Sequence, residues 1–195
     1  RTIVPQKIAE FPEYHIYRSK RVQEQFFGVS ILLEAYRVYG ETELLEFAIS
    51  SLKTLIDHYM INGMIFNGED YTTVCAPAIP MVDMAVFLKE QNDRRYLLFE
   101  KATLELGDFL YKRGFSFPTE GTKSELVNEE YEDGSISCTA LSLLYICANL
   151  QYKQEYMDFA EEILKFHNAW TIYTPDARMY GSSFRWWETI WEGDG

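Results

Sequence analysis

The residues able to do chemistry gather in three stretches. Glu69-Asp70-Tyr71-Thr72-Thr73-Val74-Cys75 runs into the apolar segment 76–88. Glu132-Asp133-Gly134-Ser135-Ile136-Ser137-Cys138 runs into the apolar segment 139–150. The offset is 63 residues for Glu, Asp and Cys alike (132−69, 133−70, 138−75), and Ala85 matches Ala148 at the same offset. The third stretch, Tyr180 to Asp194, holds Arg185, Trp186, Trp187, Glu188, Trp191 and Glu192. Asp70, Asp133, Glu188 and Glu192 are the candidate proton donors and acceptors. Arg185 is placed to tune a carboxyl or to hold a substrate carboxylate. Trp186, Trp187 and Trp191 offer flat apolar platforms. Tyr71 and Tyr131 share loops with the first two aspartates and could stack on a ring or serve as a base.

Each residue also has a structural reading. Asp70 and Asp133 precede apolar segments and suit the first turn of a helix, where a carboxylate accepts unpaired N–H groups. At 100° per residue, Arg185, Glu188 and Glu192 fall within about 60° of one another on a helix. Phe184, Trp187 and Trp191 would cluster opposite. That is also the pattern of an amphipathic surface helix with an Arg185–Glu188 pair. The histidines, His15, His58 and His167, are isolated from one another and read as surface or helix-end residues.

Totals narrow the partners. The net charge is −12, which repels a phosphate backbone or an anionic membrane. No apolar run of about 18 residues occurs, so no transmembrane helix is expected. Three cysteines, Cys75, Cys138 and Cys147, sit in apolar surroundings and form an odd set. They read as reduced thiols, which favours the cytoplasm. No metal-binding spacing or nucleotide loop is present, and no cofactor is expected. Arg1 at the start and Glu192-Gly193-Asp194-Gly195 at the end read as the cut ends of a longer protein.

Residues 1–17 carry Pro5 and Pro12 and read as an extended lead-in. Residues 18–195 read as one helical-hairpin domain. Apolar spacing predicts helices over 18–39, from 42 to near Asn62-Gly63, and over 76–90, 94–112, 135–150 and 153–170. A seventh is expected from Ser183 or Phe184. Thr42 and Asp93 are expected caps, and Gly40 and Gly114 expected stops. Connections alternate: short after the first, third and fifth helices, long after the second, fourth and sixth. The odd helices are the more apolar. This is the pattern of consecutive αα-hairpins, with every long loop at one end. No strand-like alternation of useful length competes, so the class is all-α.

Hairpins of this length exceed tetratricopeptide, ankyrin and HEAT units. The pattern resembles part of the (α/α)6 toroid of six-hairpin glycosidases, with three and a half hairpins present. The resemblance implies a cleft lined by long loops at the N-termini of inner helices. It implies carboxylate acid/base catalysis on an oligosaccharide, with aromatic residues stacking on sugar rings. Glycoside hydrolysis needs two carboxyls, about 5–5.5 Å apart for retention or about 6.5–9.5 Å for inversion. Asp133 and Glu188 are the first pair expected. A polysaccharide lyase or sugar epimerase shares the toroid, and a non-catalytic helical-repeat module shares the hairpins. Half a toroid would expose inner helices, to be covered by the rest of a longer chain or by a second copy.

Overall fold

A computed structural model describes residues 22–65, 77–113, 132–133, 137–169, 186–187 and 193–194. Six helices lie among them: α1 (Val22–Tyr39), α2 (Thr42–Tyr59), α3 (Ala78–Glu90), α4 (Tyr96–Arg113), α5 (Ser137–Asn149) and α6 (Gln154–Ala169). Five two-residue strands accompany them: β1 (Met60–Ile61), β2 (Met64–Ile65), β3 (Glu132–Asp133), β4 (Trp186–Trp187) and β5 (Gly193–Asp194). The class is all-α. No described helix is long and apolar enough to cross a membrane. Residues 1–17 and the expected stop at Gly114 lie outside the described residues.

The helices form where apolar side chains recur every three or four positions. α1 buries Val22, Phe26, Val29 and Leu33 on one stripe. It stops at Gly40, whose φ of +69° lets its N–H reach the Tyr36 carbonyl at 2.8 Å. α2 buries Leu44, Leu45, Ala48, Ile49, Leu52, Leu55, Ile56 and Tyr59. Its N-cap is Glu41, so Thr42 is the first helical residue rather than the expected cap. α3 is buried almost all round, leaving Ile79, Asp83 and Val86 half-exposed before its charged last turn. Asp93 does act at the start of the next helix: its Oδ1 accepts the Arg95 N–H at 2.9 Å.

These elements make three hairpins: α1 with α2, α3 with α4, and α5 with α6. α3 packs on both α1 and α5, so the odd helices stand side by side. Polar ties join the hairpins. The Arg95 guanidinium reaches Glu46 on α2 at 2.6 and 2.9 Å while also holding Asp93. Between the second and third hairpins, Asp108 accepts Lys153 Nζ and the Tyr156 hydroxyl, each at 2.5 Å. Tyr156 is fully buried, and Gly107 makes room for it. A Cβ at Gly107 would lie 2.9 Å from Tyr156 Cε2.

That tie gives a pH dependence. Burial works against the Asp108 charge, but hydrogen bonds from Lys153 and Tyr156 outweigh it and hold the carboxyl below its ordinary range. A depressed folded-state value means stabilisation that is present above the ordinary carboxylate range. It is lost as pH falls through the folded value. Stability measured by urea melts should therefore fall on acidification, and Asp108→Asn should flatten that fall. Because the carboxylate is half-exposed, water screens the tie and the slope is shallow. An Asp108→Asn profile identical to wild type would refute the assignment.

Two sequence expectations are corrected. The end of α2, expected near Asn62-Gly63, falls three residues earlier (62−59). The helix ends at Tyr59, and Asn62 (φ +51°) with Gly63 (φ +84°) turns a β-hairpin that pairs Met60 with Ile65 and Ile61 with Met64. Positive φ at both central residues is what a two-residue hairpin of this twist requires. The seventh helix is not helical at Trp186–Trp187, which form β4. Bulky aromatics favour extended backbone when a neighbouring strand is at hand, and tertiary pairing overrides the helical period. Arg185, Glu188 and Glu192, for which a common helical face was expected, lie outside the described residues.

Candidate functional site

β3, β4 and β5 form one antiparallel sheet in that order. Its register sets Asp133 opposite Trp186 and Glu132 opposite Trp187. On the other side of β4, Trp186 lies opposite Asp194, and Trp187 opposite Gly193. Residues directly opposite one another across a sheet occupy one register row. Asp133, Trp186 and Asp194 therefore form one row, and Glu132, Trp187 and Gly193 the next. Strands lie about 4.8 Å apart, so the Asp133 and Asp194 backbones stand about 9.5 Å apart with the tryptophan position between them.

The sheet also decides a question about Asp133. α5 begins at Ser137, four residues on (137−133), and Asp133 is held in β3. It is not the cap of that helix. For α3 the N-cap is Pro77, seven residues after Asp70 (77−70), with no side-chain cap bond. The capping reading of Asp133 is thereby set aside by position, whereas Asp70 lies outside the described residues.

Of the residues singled out from sequence, Asp133, Trp186 and Trp187 are brought together. Asp70, Tyr71, Tyr131, Arg185, Glu188, Trp191 and Glu192 lie outside the described residues. Asp194 was missed as a site residue. Its signal lay in its place at the end of the same tryptophan-rich acidic stretch. His58 falls in the last turn of α2, where a helix-end role was expected. Cys138 is half-buried and Cys147 is a buried free thiol, while Cys75 lies outside the described residues.

A second polar group was also missed, deeper along the inner helices. The Tyr145 hydroxyl of α5 donates to Asp83 Oδ1 of α3 at 2.5 Å. That bond, then burial, then the charge of Asp83 push the phenol up to about 12, and Arg37 of α1 acts weakly the other way. The Arg37 guanidinium lies 5.4 Å from the centroid of the Phe87 ring, one turn beyond Asp83 on α3, and pairs with Glu34. The sequence did carry a signal: Asp83 is the single charged residue between Ala76 and Leu88. An isolated charge inside an apolar helix needs a partner, and here it has one.

Comparison of the chain with family profiles, with curated proteins and with solved structures finds no match in any of the three, so a functional reading stands on these residues and their geometry.

Proposed function

We infer that this chain is part of an (α/α)6-type toroid and acts as a glycoside hydrolase on an oligosaccharide. The observation that carries the reading is the Asp133–Trp186–Asp194 row. Asp133, in the segment leading into α5, and Asp194 of β5 flank the Trp186 position of β4 across the sheet. One carboxyl protonates the glycosidic oxygen as the bond breaks, and the other activates water or stabilises the developing positive charge. The tryptophan supplies a platform for a sugar ring. Asp133 takes one role, and Asp194 or Glu188 the other. A backbone separation of about 9.5 Å suits the wider carboxyl spacing of inverting enzymes.

The side-by-side arrangement of α1, α3 and α5 supports the toroid. A ring of six hairpins takes three more, from the rest of a longer chain or from a second copy. The free, buried thiol of Cys147 supports a reducing, cytoplasmic setting.

The test is incubation with a panel of neutral oligosaccharides. New reducing ends are quantified, and the anomer of the first product is read by proton NMR. Turnover with inversion is expected. Binding without product would make the chain a non-catalytic binding module, and neither binding nor product would overturn the carbohydrate reading.

A further inference from the structure

Each odd helix leaves one stripe uncovered, and the stripes are mainly apolar. On α1 it carries the exposed Phe27 and Ile31, and on α5 the exposed Leu141. On α3 it carries Ile79, Asp83 and Val86. Within these surroundings each helix contributes one polar group to a common cluster: Arg37, Asp83 and Tyr145. Asp83 and Tyr145 are both half-buried, so a ligand can reach them.

A carboxylate and a phenol are an expensive way to join two helices. Desolvating the charge costs more than an apolar contact of the same size, and apolar pairs pack such interfaces at least as well. The pair also leaves capacity unused. Among the described residues, Tyr145 is the donor to Asp83 Oδ1, and Oδ2 receives no hydrogen bond. The phenol oxygen keeps an acceptor lone pair while its proton is given to Asp83. One turn toward the N-terminus on each helix stand Ile79 and Leu141 (79+4, 141+4), which offer apolar contact beside these polar atoms.

The charge balance selects the ligand. Asp83 and Glu34 are acidic, and the cation of Arg37 is engaged by Glu34. The local field is negative and would repel a carboxylate or phosphate. A neutral ring with several hydroxyls fits: one hydroxyl donates to Asp83 Oδ2, another donates to the Tyr145 oxygen, and its C–H face meets Ile79 and Leu141. We propose that Asp83 and Tyr145, with Arg37 beside them, form a hydroxyl-binding subsite on the inner face for a neutral polyhydroxylated ring. The subsite rests on the carbohydrate reading above and deepens it, by selecting neutral sugars over uronic acids.

The experiment is calorimetric titration of the full chain with neutral and uronate oligosaccharides of matched length. Wild type, Asp83→Asn, Tyr145→Phe and Asp133→Asn are compared, each checked by circular dichroism. Neutral sugars are expected to bind wild type, and uronates to bind at least tenfold more weakly. Asp83→Asn and Tyr145→Phe should each weaken neutral binding by about tenfold, the worth of one hydrogen bond to a charged or well-placed partner. Should a variant lose its helical signal, the readout is wild-type NMR: amide resonances of residues 83 and 145 must shift on titration. Sugar binding unchanged in both folded variants, or unmoved resonances at 83 and 145, overturns the subsite and leaves the carbohydrate reading intact. Preference for uronates overturns the charge argument and with it the subsite. No binding of any sugar to wild type overturns the carbohydrate reading itself.

Discussion

Replacing Asp133 with Asn is expected to lower oligosaccharide hydrolysis by about 10²–10⁴-fold, the usual worth of a positioned acid or base. Asn keeps the size of Asp and the backbone N–H and C=O that pair β3 with β4. Asp133 is not the cap of α5, so no helix end loses a partner. Thermal stability should therefore stay within about 0.5 kcal/mol of wild type, as for a substitution away from core, caps and buried ties. The combination separates catalysis from scaffolding, because a capping aspartate would give the opposite result. Asp194→Asn and Glu188→Gln then assign the second carboxyl. The variant that falls as far as Asp133→Asn identifies it, and the other should retain most of the rate. Undiminished turnover by Asp133→Asn would remove Asp133 from the mechanism.

Gly63→Ala is expected to destabilise the fold by about 2–4 kcal/mol, the range for backbone strain combined with overpacking. Two costs coincide. The residue sits at φ +84°, where a side chain is strained, and a Cβ there would lie 2.2 Å from the Glu105 carbonyl oxygen. That oxygen belongs to α4 and cannot swing aside as a side chain would. The β1–β2 hairpin lies on α4 through this close approach and through Ile65, which is fully buried. Gly40→Ala is the control. Its φ of +69° carries the same kind of strain, but nothing lies within 4 Å of its Cβ position. It should cost only about 1 kcal/mol. Urea midpoints of the two variants measure the difference directly. Equal midpoints would mean that the hairpin does not press on α4.

The two substitutions mark what was legible in the sequence. Val22, Phe26, Val29 and Leu33 recur at helical spacing, and the described core buries all four. The contrast between apolar α3 and α5 and charged α4 and α6 pointed to pairs of helices with alternating loop lengths. Asn-Gly between Met60-Ile61 and Met64-Ile65 was read as a helix stop, since α2 was already running and a turn residue also ends a helix. Only the contact with α4 rewards the alternative, by burying Ile65 and lodging Gly63 against Glu105. The tryptophan-rich stretch was read by its helical period for the same reason. A period is a local property, and it cannot report a strand whose partners lie 53 and 55 residues away (186−133, 187−132).

The sequence by itself determined the all-α class, the boundaries of six helices to within a few residues, and the stretches where carboxylates and aromatics concentrate. Those follow from side-chain periodicity and turn chemistry, which act over one to three turns of chain. Tertiary structure alone decided which members of those stretches meet. It set Asp133 beside Trp186 and Asp194 rather than at a helix cap, and it joined Asp83 to Tyr145 across 62 residues. Both outcomes depend on strand register and helix packing, which balance contacts over the whole fold, and neither leaves a local pattern from which it could be read.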